Sequence, residues 1–289
     1  MTPILVIGIN RSGSKWLSNL LCNHPDVAGV QNERGGGIME SNMFGPLRSK
    51  FDLKYPDDYI ALVEVWSRTR FFEITQVDKQ VFYCLQPRPT DSYRLFEILL
   101  EHYARRSNCA YWLQKMSPLE ALGALEHFND ARIVLIKRSL MDTMRSQVQQ
   151  HVNHGKSKNL LRTSYAFVLQ EKILRKIRKR HHVIGVEYER LVQDTDAELR
   201  RMCKEIGLEY LPPMSKVRFR SNTSFKPGTD RRAILTRTEE TWIRCTAACL
   251  RLLPLQILHG ILKAWDVIHG PRPIKWKTFD PMQYKLPVH

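Results

Sequence analysis

The sequence predicts an α/β fold, with a central parallel sheet flanked by helices. Short runs of β-branched and other apolar residues alternate with longer amphipathic segments, which is the pattern of parallel strands crossed by helices. Glycine-containing or basic turns follow several of these runs, at the strand ends where ligands of open α/β sheets bind. The chain has 289 residues, of which 43% are hydrophobic. This supports a large core, and we predict a single domain over 1–289.

The predicted elements follow from apolar periodicity. Strands are predicted at 4–8, 27–31, 110–114, 132–136 and 182–187. Helices are predicted at 14–23, 90–106, 118–128, 140–154 and 158–180. Segments 41–110 and 239–289 are predicted to be helical elements that pack beside the sheet. Within 90–106, four residues at helical spacing are expected to face inward: Leu95, Phe96, Leu99 and Leu100.

Two capping boxes are predicted at helix starts. Ser117 is paired with Glu120, and Thr195 with Glu198, at the spacing that lets each side chain bond the other residue's backbone N–H. Gly207 is placed to end the second of these helices.

The segment ILVIGINRSGSKWLSNLL, residues 4–21, joins the first strand to the first helix. The first N–H groups of a helix lack intrahelical partners, and the helix dipole favours negative charge there. Arg11 and Lys15 add two cations at that point. The segment therefore predicts a site for a phosphate or sulfate group, against the alternative of a plain turn rich in Gly and Ser.

The order of residues in this loop differs from that of a nucleoside-triphosphate P-loop. That motif, G-x-x-x-x-G-K-[ST], places a hydroxyl after the Lys to hold magnesium. Gly8 and Gly13 have the P-loop spacing, but Ser14 precedes Lys15 and Trp16 follows it. We therefore predict a P-loop-like site that holds an anion without an obligatory metal.

A second cationic site is predicted in ARIVLIKRSLMDTMRSQ, residues 131–147. A buried strand ends in Lys137 and Arg138, and Ser146 follows eight positions after Arg138 in the next helix. Arg offers a planar fork of donors that suits phosphate, and Ser can donate one more hydrogen bond. Taken alone, the same residues also fit a surface Arg and a neutral helix position.

These segments resemble a known family. R-S-G-S-K-W-L, residues 11–17, resembles the 5′-phosphosulfate loop of sulfotransferases that use 3′-phosphoadenosine-5′-phosphosulfate (PAPS), whose pattern is [RK]-S-G-[ST]-x-[WL]-L. Arg138 and Ser146, with Asp142 between them, resemble the family's 3′-phosphate signature. Less specific similarities support the match and extend it over most of 4–235: WLQKMSP at 112–118 and the strand, Y-E-x-L and helix at 183–208.

The resemblance implies a bacterial or carbohydrate-type sulfotransferase. Its co-substrate would be PAPS, its nucleotide product 3′-phosphoadenosine-5′-phosphate (PAP), and its acceptor a hydroxyl of a carbohydrate or glycolipid. No metal is implied. Segments 41–110 and 239–289 would then lie on the acceptor side or serve packing. The residues implied to hold the nucleotide are Arg11, Ser12, Gly13, Ser14, Lys15, Trp16, Arg138, Ser146 and, in a late basic loop, Lys226.

The chemistry of sulfuryl transfer suggests roles for charged residues at strand ends. Lys15 and Arg11 are placed to stabilise negative charge on the leaving oxygen. Glu33 matches the position of a carboxylate base in carbohydrate-directed relatives, with Glu40 or a His as alternatives. His24 is interpreted as a turn residue.

Composition limits the other functions. The net charge of +16 suits anionic ligands, and the basic block at 174–182 is interpreted as a solvated helix face, not a nucleic-acid site. The six Cys are scattered and are expected to be free thiols. No leader and no run of ~20 apolar residues is evident, so we expect a cytoplasmic protein. Segment 239–267, broken by Pro254, predicts core-packing helices or, alternatively, a peripheral membrane or oligomer contact.

Two other functional classes fit parts of the sequence. A nucleotide-dependent kinase on a P-loop architecture would require magnesium, which the order of Ser14 and Lys15 disfavours. A non-enzymatic basic module that binds polyanions or acidic membranes would show steep salt dependence and no preference for a 3′-phosphate.

Overall fold

The computed structural model describes residues 1–33, 36–41, 43–47, 50–216, 218–219 and 232–261. Its strands are β1 (Thr2–Gly8), β2 (Val27–Gly29), β3 (Gln31–Asn32), β4 (Gly37–Ile38), β5 (Tyr111–Met116), β6 (Arg132–Lys137) and β7 (Val183–Glu187). Its α-helices are α1 (Ser14–Leu21), α2 (Pro56–Ser67), α3 (Arg70–Thr75), α4 (Gln80–Tyr83), α5 (Ser92–Arg106), α6 (Pro118–His127), α7 (Leu140–Asn153), α8 (Leu160–Arg180), α9 (Tyr188–Gln193), α10 (Thr195–Ile206) and α11 (Arg237–Leu252).

Five strands form one parallel sheet in the order β2-β5-β1-β6-β7. The predicted fold class, a parallel sheet flanked by helices, is confirmed. β1 lies at the centre, and its last residue, Gly8, is paired with Ile136 of β6. On the other side of β1, Val6 is paired with Lys115 of β5. The carboxyl ends of these three strands therefore meet at one edge of the sheet.

The sheet has a hydrophobic core on each face. Successive residues of a strand point to opposite faces, and β1 follows this rule: Ile4 and Val6 belong to one core, whereas Leu5 and Ile7 belong to the other. The first core is shared with α1 and α10, and the second with α5, α6 and α8. Both cores bury complete side chains, so the strand ends are rigidly placed.

Two local predictions are wrong. The strand predicted at 27–31 is divided, because β3 leaves the main sheet and pairs with β4 as a separate antiparallel hairpin. The capping box predicted for Thr195 and Glu198 does not form. Asp194 caps α10 instead, by accepting a hydrogen bond from Ala197 N at 2.9 Å. A carboxylate one residue earlier takes that place, and the Thr195 hydroxyl donates to Leu191 O at 2.8 Å.

The helices predicted within 41–110 are present as α2–α5, and they pack on the sheet through an aromatic cluster. Four inward positions of α5 are fully buried, as predicted: Leu95, Phe96, Leu99 and Leu100. Phe44 and Trp66 are also buried and contact Phe96, whereas Tyr55 is 64% exposed. Most aromatic residues of this region are therefore buried in the core.

The late apolar segment packs on α8 along one face of its described part, whereas Leu252 is 85% exposed and Ile257 49%. Ile243 and Ala247 of α11 are buried against α8. Arg251 Nε donates to Glu171 at 2.8 Å, which holds the end of α11 against the middle of α8. Residues 262–267 of that predicted segment lie outside the described residues. No described helix is both long enough and apolar enough to cross a bilayer.

Candidate active site

The loop between β1 and α1 is tight and leaves the start of α1 open. Ser12 N donates to Ile9 O at 2.9 Å, and Leu17 N donates to Gly13 O at 3.0 Å. Gly13 is the N-cap residue, with φ 95°, and within the described chain no side chain caps α1. The first N–H groups of this helix can therefore bond an external anion.

Two positions in this loop require glycine. A Cβ on Gly13 would lie 2.4 Å from Cδ2 of Tyr188. A Cβ on Gly8 would lie 2.5 Å from Ser12 Oγ and 2.6 Å from Ile136 Cγ2. The loop therefore packs directly against the neighbouring strand β6 and the first residue of α9, and its backbone position is fixed by these contacts.

The two predicted phosphate sites are adjacent. Arg11 Nε donates to Ser146 Oγ at 3.2 Å, and Arg138 Nη1 donates to the carbonyl of Arg11 at 3.1 Å. Gln147 Nε2 donates to Asn10 O at 2.9 Å, which also ties α7 to the loop. Because β1 and β6 are neighbours, residues more than 120 positions apart in sequence form one cluster.

Arg138 and Arg11 are held in specific conformations. The guanidinium of Arg138 lies over the ring of Tyr188, 4.3 Å from its centroid, which is a cation–π contact. Arg11 has φ 72°, in the left-handed region that non-glycine residues rarely adopt. Strained backbone of this kind is frequent at ligand sites, where surrounding contacts enforce it.

The cations of the cluster repel one another. Burial lowers the pKa of the Arg11 guanidinium, and neighbouring Arg138 lowers it further, whereas Tyr188 opposes the change. Burial also lowers the pKa of Lys15; Glu40 opposes this, and Lys115 and Arg11 add to it. The fold thus brings positive charges together at a cost, and a bound anion would relieve the repulsion.

Two buried donor groups at this site have no hydrogen-bond partner among the described residues. They are Ser12 Oγ and Arg138 Nε. Other buried polar atoms of the described chain also lack a partner, but these two lie at the ends of β1 and β6. Phosphate or sulfate oxygens accept hydrogen bonds from both kinds of donor.

Glu40 is the carboxylate that the structure brings next to Lys15. Its side chain forms an ion pair with Lys115 of β5. Desolvation alone would raise the pKa of Glu40, but Lys115 and Lys15 hold that pKa below its usual value. Glu33, the predicted base, is exposed in a turn after β3 and forms no ion pair with any described residue. Its role stays a prediction.

His24 is placed as a structural residue, in agreement with its interpretation from sequence. It is buried, and its Nδ1 accepts a hydrogen bond from Asp26 N at 3.1 Å. Its Nε2 therefore carries the proton and donates to Glu209 O at 2.9 Å. Since both ring nitrogens are bonded, His24 has no free position for proton transfer.

The other residues predicted to hold the nucleotide differ in how deeply they are buried. Ser14 is buried in the first turn of α1. Trp16 is half-buried and packs edge-on to Tyr188, with ring centroids 6.0 Å apart. Lys226 lies outside the described residues.

Tyr188 is the residue of this site that sequence reasoning did not single out. It contacts Trp16, lies under Arg138 and limits the space at Gly13. The segment Y-E-x-L that begins at Tyr188 was the available signal, but nothing local indicates that its ring faces the β1–α1 loop.

Comparisons with known proteins identify the family and the fold of this chain. A family model described as the sulfotransferase family matches residues 3–212. The solved sulfotransferase domain of the curacin biosynthetic pathway is 14% identical, with a TM-score of 0.51 and 82% of this chain and 83% of that chain covered. The sulfotransferase domain of the olefin synthase from Synechococcus PCC 7002 is also 14% identical, with a TM-score of 0.51 and coverage of 90% and 94%.

At this level of identity the two structures establish the fold only. No curated protein sequence matches the chain significantly. The family model, however, spans well over half of the chain and includes both cationic segments. The chain therefore belongs to the sulfotransferase family and is an enzyme of the class that transfers sulfuryl groups.

Proposed function

We propose that the protein transfers a sulfuryl group from PAPS to a hydroxyl of a carbohydrate or glycolipid acceptor. The observation that carries the proposal is the cluster of Arg11, Arg138 and Ser146, which joins the ends of β1 and β6. PAPS has two anionic ends, and the adjacency of the β1–α1 loop to Arg138 and Ser146 supports the proposal that one end binds at each place.

The donor groups of the site fit this co-substrate. The 5′ end would be held by the open N–H groups of α1 with Ser14 and Lys15, and the 3′-phosphate by Arg138 and Ser146. Lys226 is proposed as a further 3′-phosphate contact from the family resemblance alone. The unpartnered donor of Arg138 is consistent with an acceptor oxygen beside it.

PAPS would supply the sulfuryl group, and the residues of this chain would supply positioning and charge. Lys15 and Arg11 would stabilise the negative charge that develops on the leaving oxygen, where a fixed cation lowers the barrier. A carboxylate would take the proton of the acceptor hydroxyl. Glu33 is proposed for this from family position. Glu40 is the alternative because it lies beside Lys15, although its ion pair with Lys115 weakens it as a base.

The first test compares PAP with AMP by thermal shift. A ligand at 100 times its dissociation constant stabilises by about 2.7 kcal/mol. We expect PAP to raise the melting temperature clearly more than AMP does, because AMP lacks the 3′-phosphate. Arg138→Ala should remove most of the gain from PAP. Equal stabilisation by the two nucleotides would contradict the proposed site.

Arg200→Ala is a matched control for this test. Arg200 of α10 also lies over a tyrosine ring, 4.1 Å from the centroid of Tyr210, which follows α10 in the chain. If Arg138→Ala acts only by losing a cation–π contact, both variants will respond to PAP alike. A loss confined to Arg138→Ala supports a phosphate contact.

Magnesium dependence separates this function from that of a kinase. The loop has no hydroxyl after Lys15, so PAP affinity measured by calorimetry should be the same with magnesium and with a chelator. A strict requirement for magnesium would favour the kinase.

The base is tested with Glu33→Gln and Glu40→Gln. Each variant should retain PAP binding, and the variant that lacks the base should lose at least about 100-fold in turnover of a labelled donor. A fully active variant eliminates that residue. Because Glu40 also neutralises Lys115, Lys115→Met combined with Glu40→Gln controls for the lost ion pair.

A further inference from the structure

A second surface outside the nucleotide site combines exposed apolar residues with cations. We call it the α7–α8 surface, and it comprises residues 152–162 together with Trp242. Val152 is 45% exposed, Leu161 53% and Trp242 40%. A groove of about 540 Å³ runs between the starts of α8 and α11, and its lining includes Lys158, Leu161, Glu239 and Trp242.

The cations of the α7–α8 surface lie between its apolar residues. Lys156 and Arg162 are exposed, and neither forms an ion pair within the described part of the chain. Burial lowers the pKa of His151, and Lys156, Arg162 and His154 lower it further, so these groups share one positive field. Lys158 is paired with Glu239 at 3.5 Å.

The α7–α8 surface is connected to the donor side of the sheet by a short chain of contacts. Arg145 of α7 bonds Asp142 at 3.2 Å and also pairs with Glu240 of α11. Asp142 lies in the first turn of α7, in the field of Arg138. Trp242 follows Glu240 by two residues, so α11 carries both the end of this chain of contacts and part of the surface.

We propose that the α7–α8 surface docks this enzyme on an anionic phospholipid membrane. Trp and Leu side chains enter the headgroup and upper acyl region, while Lys and Arg bind the negative headgroups. Both kinds of side chain are present here: Leu161, Lys156 and Arg162 lie at the α7–α8 connection and the start of α8, and Trp242 lies beside them on α11. The net charge of +16 favours approach to such a membrane. This docking does not depend on the reaction.

The test is binding to vesicles by flotation, without nucleotide. One set is phosphatidylcholine alone, and the other contains phosphatidylcholine and phosphatidylglycerol in equal parts. We expect binding to the mixed vesicles only, weakening as salt is raised. Each cation near the surface contributes about 1 kcal/mol, so the double variant Lys156→Gln, Arg162→Gln should bind about 30-fold more weakly.

The matched control removes two exposed cations from the other end of α8. Arg178→Gln with Lys179→Gln gives the same change of net charge and should keep most of the binding. Leu161→Ser should also reduce binding, because it removes apolar contact without changing charge. An unchanged melting temperature for each variant shows that the fold is intact.

Three results would overturn the proposal. One is the absence of binding to mixed vesicles. Another is an equal loss from both cation pairs, which would indicate charge attraction without a defined surface. The third is a dimer in solution that Leu161→Ser dissociates, because the surface would then be an interface between two copies of the chain.

Discussion

Replacement of Gly13 by alanine tests whether the β1–α1 loop is held by backbone contact. Gly13 has φ 95°, and a left-handed conformation costs an L-residue roughly 1–2 kcal/mol. The new Cβ would also lie 2.4 Å and 2.7 Å from two ring carbons of Tyr188, well inside normal contact. Overpacking of this kind costs about 1–3 kcal/mol. Together we expect Gly13→Ala to lower the free energy of unfolding by about 2–5 kcal/mol.

The assay is denaturant unfolding followed by circular dichroism, with Gly185→Ala as the matched control. Gly185 lies in β7, and a Cβ there meets no atom within 4 Å. That variant should change stability by less than about 1 kcal/mol.

A double variant isolates the steric part of the effect. Tyr188→Ala removes the ring that the new Cβ would meet, so Gly13→Ala should cost less in that background, by about 1–3 kcal/mol. If Gly13→Ala is no more destabilising than Gly185→Ala, the packing described here is wrong. PAP binding should also fall in Gly13→Ala, because the displaced ring supports Arg138.

Three further predictions concern single contacts. Ser146→Ala removes the hydroxyl that accepts a hydrogen bond from Arg11 Nε and that is proposed to donate one to the 3′-phosphate. PAP affinity measured by calorimetry should therefore fall about 10-fold. An unchanged affinity would exclude Ser146 from the site. Burial lowers the pKa of Lys15 from 10.5, and its charged form binds an anion better, so PAP affinity should fall as pH rises through that lowered pKa. Lys15→Arg should abolish this pH dependence. If the pH dependence persists in Lys15→Arg, another group is responsible for it. Asp194→Ala should destabilise the protein by about 1 kcal/mol, because Asp194 caps α10. In the same denaturant titration, Thr195→Ala should be less destabilising. The reverse order would contradict the cap at Asp194.

Much of the architecture was predictable because its signals are local. Hydrophobic periodicity predicts five of the seven strands found among the described residues to within a few residues, and the capping box of Ser117 and Glu120 forms as expected. Side chains and backbone within one helical turn decide such features. The two wrong predictions concern neighbouring residues that compete for the same role. Asp194, not Thr195, caps α10, and β3 pairs with β4 instead of continuing β2.

The cationic segments of the site were also evident from sequence, because motif spacing and strand ends fix where such residues lie. Arg11, Lys15, Arg138 and Ser146 were expected at one edge of a parallel sheet. Their specific contacts were not predictable. Ser146 bonds Arg11, and Arg138 bonds the backbone carbonyl of Arg11.

The sequence by itself therefore determined the α/β class, the order of the main strands and helices, and the two cationic segments at the strand ends. The tertiary structure alone decided that Tyr188 lies between Gly13 and Arg138, and that Glu40 is the carboxylate beside Lys15 and Lys115. The physical reason is that these contacts join residues far apart in the chain. They depend on which strands are neighbours and how side chains pack at their ends, and no local pattern encodes either.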